Sequence, residues 1–291
     1  MYIISQLFIY PIKSLGGIEV KSALLTDRGL QYDRRWMLVD AANCFLTQRE
    51  YPVMSLLQPA IENDQLIIYH KNNIPDKVIL PLQPPPEITI KVKVWDDECE
   101  AQYVSEIADV WFSDKLSMHC RLVYMPESEK RKVDERYARE NDLTNFSDGY
   151  PLMMIGQASL DDLNGRLEEP LPINRFRPNI VFTGGQPYDE DIMEHVAVAG
   201  IDLYGVKISA RCIITGINQT NAIKGKEPLK TLAGYRMINN KVYFGQNILF
   251  DQTGHLKVGD TIEMISSKAP VLFTSAVNPV GTEGQTGFTA G

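Results

Sequence analysis

Cysteine and histidine are scarce in this chain, four of each in 291 residues. The cysteines are Cys44, Cys99, Cys120 and Cys212, separated by 55, 21 and 92 residues. No C-x-x-C pair and no mixed Cys/His cluster occurs. That spacing excludes a zinc ribbon, a thioredoxin motif and a locally spaced iron–sulfur site. A disulfide framework is not expected in a chain long enough to bury a proper core. Long apolar runs are also missing. None reaches ~18 residues, so no segment is expected to span a membrane. Positive charge is in deficit, with 29 Lys+Arg against 37 Asp+Glu and a net −8. A dedicated nucleic-acid binder needs clustered cations and is not expected. The first residues, MYIISQLFIYPIKS, show neither a basic n-region nor a small-residue cleavage site, so they read as mature sequence of a cytoplasmic protein.

Short strands dominate what is present. Residues 2–10 are rich in β-branched and aromatic residues. IEVKSALLT and RRWMLVD follow, separated by a turn-like DRG. Residues 66–82 read as strands broken by Asn72, Asn73 and Pro75, and Pro84-Pro85-Pro86 cannot join a sheet interior. ITIKVKVW then alternates with period two. Strands this short and frequent predict an antiparallel barrel or sandwich. Near residue 104 the pattern turns helical, with Ile107, Val110, Trp111 and Leu116 at helical spacing. Residues 127–142 carry six acids and five bases and read as a solvated helix or loop. Ser159 with Asp162 resembles a capping box ahead of a Leu160, Leu163, Leu167 stripe. Strands return with NIVFTG, VAVAGIDLYGVKI, RCIITGI and KVYFGQNILF. The expected architecture is mostly β with some α: an N-terminal β-barrel-like domain over 1–100, a second barrel with a helical lead-in over 101–266, and a flexible tail over 267–291.

Cys212 is the one cysteine with a chemical reading, because Arg211 beside it favours thiolate; taken alone, a cysteine beside an arginine is more often structural. It reads as lying at or just before a strand start. Cys99 sits among acids, and Cys44 and Cys120 read as packing residues. Cations also recur in segments that read as loops: Lys13 with Ser14, Arg34-Arg35, Arg49 in Thr47-Gln48-Arg49, and Arg175, Arg177 and Asn179 in NRFRPN. Gathered by a fold, they make an anion pocket in an acidic protein. Left apart, they are surface charge.

IYPIKS, DRRWMLVD, FSDGYP–LMMIGQASLDDLN, RFRPNIV, ARCIIT, EPLKTLAGYR, YFGQN and LKVGD occur in one order along the chain. Together they resemble the MOSC family with its N-terminal MOSC barrel domain, in the branch of the amidoxime-reducing components. The resemblance implies a molybdenum–molybdopterin cofactor. Cys212 would ligate the metal, and Asp148, matching an acidic residue near it, would be catalytic in a proton or water-positioning role. Lys13, Ser14, Arg34, Arg177, Asn179, Arg211 and Asn247 would bind the cofactor. Three positions depart from the relatives, Ala210 in place of a serine and Gly149-Tyr150 in place of small hydroxyl residues. A molybdopterin brings dithiolene sulfurs and a phosphate, so one protein thiolate suffices and no cysteine cluster is needed. The four histidines are then not required as ligands.

The resemblance further implies an oxidoreductase that reduces small N-hydroxylated compounds (amidoximes, hydroxylamines, N-hydroxylated bases) to amines. Electrons would come from a separate flavin, haem or ferredoxin-type reductase. No cysteine follows Cys212, so no internal iron–sulfur cluster is expected, and a chain cut ahead of a ferredoxin-like domain stays open. Pyridoxal phosphate binding is implied only at the level of the whole family. An alternative is a cofactor carrier or sulfur-handling protein. A metal-free thiol enzyme is a third reading, but no base with a local signature accompanies Cys212.

Overall fold

A computed structural model describes residues 1–85, 88–138 and 142–273. Its centre is a closed barrel of seven strands. Leu152–Gly156 pairs in parallel with Ile180–Thr183, which pairs antiparallel with the chain's first strand, Tyr2–Ile9. Thr261–Ser267, Met193–Val198, Ile201–Arg211 and Lys241–Phe250 continue the ring. Leu152↔Ile248 closes it. Closure leaves these strands no free edge. Ile4, Leu152, Met154, Phe182, Val196, Leu203 and Ile248 fill the core.

Two further cores lie beside the barrel and share one strand. Trp36–Val39 is buried at all four positions. Trp36 and Leu38 point into a core with Leu57, Leu66, Ile68 and Leu80. Met37 and Val39 point into another with Val92, Val94, Ala101 and Phe146. A strand covered on both faces reads as a continuous apolar run, as WMLV does. The alternation of ITIKVKVW is realised too: Val92 and Val94 are buried and Lys91 and Lys93 exposed. The strand ends at Val94, however, and Trp95 begins the hairpin turn.

The helix Glu106–Leu116 forms behind Ser105, whose hydroxyl accepts from Ala108 N at 3.2 Å. Its buried face is Ala108, Phe112 and Leu116, which packs on the Trp36 core. Ile107 and Val110, expected in the buried stripe, are 72% and 66% exposed. Residues 106–116 offer two apolar stripes, and the Ala–Phe–Leu one, spaced by four, fits the concave core better. No helix forms in the described part of 127–142. Arg131 there is buried, donating to Asn145 O and Ser147 O and pairing with Asp97. The Ser159 capping box also fails. The helix Gln157–Asn164 starts two residues earlier behind Gly156, and the Ser159 hydroxyl donates instead to Glu190 Oε2 at 2.7 Å. Leu160 and Leu163 are buried as expected. The barrel's last strand ends at Ser267, Phe273 stacks on Arg236, and residues 274–291 of the expected tail lie outside the described residues. No helix among the described residues is long and apolar enough to cross a membrane.

A polar knot is buried against the barrel. Glu190 and Asp191 are inaccessible, Arg236 pairs with Asp191 at 2.6 Å, and Glu190 Oε1 and the Gln246 amide have no hydrogen-bond partner. Burial and the adjacent Asp191 charge push the Glu190 carboxyl up to about 7. A raised carboxyl means that the unfolded chain releases its proton first. Stability contributed by the protonated form is full below the ordinary Glu range and is lost as pH rises through about 7. Glu190→Gln should therefore lose about 3 kcal/mol less than the parent between pH 4.5 and pH 7. Urea unfolding across that window checks this, and parallel pH profiles for the two proteins would contradict it.

Candidate functional site

The strand Ile201–Arg211 is irregular where it matters. Its register against Lys241–Phe250 slips between Gly205 and Lys207 and again between Ile208 and Ala210. Bulges of this kind bend a strand and re-aim its side chains. A regular strand would send only alternate residues to one side, yet the four consecutive residues 209 to 212 all line one cavity. Gly205 permits the first slip, because a Cβ there would lie 2.0 Å from Met193 O. Cys212 follows the strand end, not a strand start as its sequence suggests. Its carbonyl accepts from Thr215 N and Thr215 Oγ1 at 3.2 and 3.0 Å, which turns Ile213–Gly216 into a 3-10 helix.

The cavity has a volume of about 290 Å³ and gathers every residue singled out above for the cofactor and the chemistry. Lys13, Ser14 and Arg34 arrive from the N-terminal third, Asp148 from the loop before the Leu152–Gly156 strand, and Arg177 and Asn179 from the loop before Ile180–Thr183. Arg211 and Cys212 come from the bulged strand and Asn247 from its neighbour. Ser14, Arg34 and Arg177 all have positive φ, at 66°, 49° and 58°. Non-glycine residues hold that conformation at a cost of about 1–3 kcal/mol each, and such strain concentrates at functional sites.

Charge explains most of the geometry. Among the described residues, five cations line the cavity, Lys13, Arg34, Arg177, Lys207 and Arg211, against one carboxylate, that of Asp148. Tyr10 is buried between two of them, with the Arg34 and Arg177 guanidiniums each 4.3 Å from its ring centre. Its π faces replace part of the water these cations lose. Arg34 Nη1 also donates to Asp33 Oδ2 at 2.6 Å and Asn179 Oδ1 at 3.2 Å. Asn179 Nδ2 in turn donates to Phe8 O, so this asparagine chiefly fixes Arg34. Arg177 Nη1 donates to Leu15 O at 2.5 Å. Burial and the nearby Arg34 charge push the Arg177 guanidinium down to about 10. Burial lowers Arg211 as well; its Nη2 donates to Phe176 O at 2.6 Å while its buried Nε has no partner.

Lys13 Nζ meets Asp148 Oδ1 at 2.5 Å and donates to Phe146 O at 2.8 Å. Burial lowers the Lys13 ammonium, against the pull of Asp148. Asp148 keeps 60% of its side chain exposed on the cavity wall. Burial opposes its charge, but Lys13 and Arg49 outweigh that and hold its carboxyl well below the usual carboxylate range. Arg49 was only one cation among several in the sequence. Here its Nη2 lies 3.4 Å from Cys212 Sγ and 3.6 Å from Asp148 Oδ2. Sequence reading missed Lys207, Ser209 and Trp95. Ser209 supplies a hydroxyl one residue ahead of Ala210 and accepts from Arg211 Nη1 at 3.1 Å. Trp95 Nε1 donates to Asp148 Oδ1 at 3.3 Å. Arg35 and Arg175 do not join the cavity. Arg35 bonds Tyr124 and Glu127, and Arg175 bonds Thr215 O and Glu227 O. Among the other cysteines, burial pushes Cys99 and Cys120 up to about 11, as inert thiols. His195 is engaged with Asp202 at 2.7 Å.

Residues 1–119 match the MOSC N-terminal beta barrel domain and residues 141–263 the MOSC domain. Mitochondrial amidoxime-reducing component 1 of Mus musculus is 33% identical over 283 residues, covering 90% of this chain and 82% of that protein. The chain belongs to the MOSC family. The human component 1 is 31% identical with the same coverage. Molybdenum cofactor sulfurase of Oryza sativa subsp. japonica is 30% identical over 83% of this chain but only 32% of its own length. This MOSC cavity should bind phosphate groups through its surplus cations. Millimolar pyrophosphate is expected to raise the thermal midpoint of the parent protein and to raise that of Arg177→Gln by less than half as much, because ligand bound only to the native state adds to stability. Equal shifts in a thermal melt would remove Arg177 from the anion site.

Proposed function

We propose that this MOSC protein is a molybdenum-cofactor-dependent oxidoreductase that reduces N-hydroxylated compounds to amines, supplied with electrons by a separate reductase. The carrying observation is the convergence of five cations and one half-buried thiol on a single cavity. Relatives named for amidoxime reduction and for the molybdenum cofactor support the same reading.

The residues fit such a cofactor on several grounds. The cation surplus suits a phosphate. The buried Arg211 Nε and Tyr150 hydroxyl lack partners, and a Cβ at Gly149 would meet nothing within 4 Å. Cys212 would ligate the metal, and Lys13, Ser14, Arg34, Arg177 and Arg211 would hold the pterin and its phosphate, with Asn179 and Asn247 completing the wall. When bound, the cofactor would supply two-electron oxygen-transfer chemistry. The overall balance is R–NHOH plus two electrons and two protons giving R–NH2 and water. Asp148 stays ionised at neutral pH, because Lys13 and Arg49 hold it so. It therefore orients water or a hydroxyl as an acceptor rather than storing a proton. Arg49 aligns the Cys212 thiol and the Asp148 carboxylate on one guanidinium.

Cys212→Ala should abolish amidoxime reduction driven by an artificial electron donor and lower bound molybdenum, measured with phosphorus by elemental analysis. Full turnover in that variant would sink the proposal. Stoichiometric molybdenum in the parent protein without any turnover would favour the carrier or sulfur-handling alternative.

A further inference from the structure

Trp95 is not one of the residues expected to bind the cofactor, and its place beside the cavity is unusual for a tryptophan. It sits in the turn between Thr89–Val94 and Asp97–Tyr103, with φ at 57°. A tryptophan in left-handed conformation is strained. Hairpin turns ordinarily use Asn, Asp or Gly there. Its indole is 40% exposed, although a large apolar ring gains most when buried.

The ring is nonetheless held in place. Its N–H donates to Asp148 Oδ1 at 3.3 Å. The Arg49 guanidinium lies 4.5 Å from its centre and Phe45 4.8 Å at an angle of 57°. Both anchoring groups face the chemistry, since Asp148 lines the cavity and Arg49 touches Cys212 Sγ. A second aromatic, Tyr150, lines the same cavity and is braced by Tyr137 at 6.3 Å. Beside the cavity, Trp95 therefore offers a held ring, 40% exposed, one hydrogen bond from the Asp148 carboxylate on the cavity wall.

We propose that Trp95 is a stacking platform that selects N-hydroxylated substrates whose N–OH group is attached to a flat aromatic system. The proposal rests on the reductase reading above. Aromatic stacking on a pre-positioned ring gains affinity without ordering a mobile side chain. It discriminates by ring area, so substrates with the same reacting group and different flat area separate it from the chemistry itself.

The test compares 2-naphthamidoxime with acetamidoxime in the cofactor-loaded protein. Trp95→Ala should lower kcat/KM for the naphthyl substrate about tenfold more than for acetamidoxime, with the excess loss mainly in KM. Trp95→Phe keeps a flat ring and loses the hydrogen bond to Asp148, so it should retain most of the preference for the naphthyl substrate. Equal losses on both substrates, or no loss on either, would overturn the platform. So would a Phe variant as impaired as the Ala variant, because the indole N–H would then be what matters. Parent protein that reduces neither amidoxime refutes the reductase reading instead, and the two failures stay distinct.

Discussion

The structure depends on how it keeps several cations together out of bulk water. Burial alone disfavours each one, and their mutual repulsion adds to that cost. The Tyr10 ring, sandwiched between Arg34 and Arg177, answers part of it. Asp33 neutralises Arg34, and Asp148 lies against both Lys13 and Arg49. Backbone carbonyls of Leu15, Phe146, Phe176 and Arg177 take up further N–H groups. These contacts tie the segment after the first barrel strand, residues 10–35, to the barrel loop that carries Arg177. Arg34 reaches from the segment to the carbonyl of Arg177 in the loop, and Arg177 reaches back to Leu15.

Backbone irregularity serves the same end. Three of the cavity's polar residues sit at positive φ, and the strand carrying Arg211 is bulged twice. Regular strands cannot aim consecutive residues such as Ser209, Ala210, Arg211 and Cys212 at one cavity, because their side chains alternate. The bulges and turns break that alternation around the cavity. The barrel is also irregular between Ile4 and Gln6 and between Met193 and Val196, whereas Leu152 and Met154 with Ile248 keep the core-facing period. Asn247 lies between these on the outer side of its strand, which is the side the cavity occupies.

The same division explains what could be read from the sequence. Strands with period two or continuous apolar runs were legible, because burial alone sets their pattern. The ITIKVKV run and WMLV are of that kind. Parity even hinted at Trp95, which falls on the face of Lys91 and Lys93 rather than that of Val92 and Val94. Site residues became legible only through an ordered set of motifs, since a lone lysine or arginine looks the same in a cavity and on a surface. Arg34 and Arg35 are neighbours, yet one enters the cavity and the other turns to Tyr124 and Glu127. No local property separates them. The end of the strand at Cys212 was misread for a related reason: Ile213 and Ile214 look like strand residues, and the turn is set by Thr215 bonding back to the Cys212 carbonyl. Lys207 and Ser209 were invisible because their direction depends on bulges that composition does not reveal.

A cavity of this kind also couples loading to folding. A protein with a net charge of −8 that concentrates five cations in one hollow carries an acidic exterior around a basic interior. Without an anion, the repulsion within the cavity works against the native state, and the strained residues around it add to that. An anion bound to the native state alone removes the repulsion and stabilises the fold by mass action. The arrangement is therefore costly for an empty protein and favourable for a loaded one, the usual trade between a pre-organised site and stability. Positioning the cations before the ligand arrives also means that little reorganisation is needed on binding. The thiol follows the same logic. Arg49 already lies against Cys212 Sγ, so the thiol is aligned by a charge that the fold, rather than a ligand, supplies.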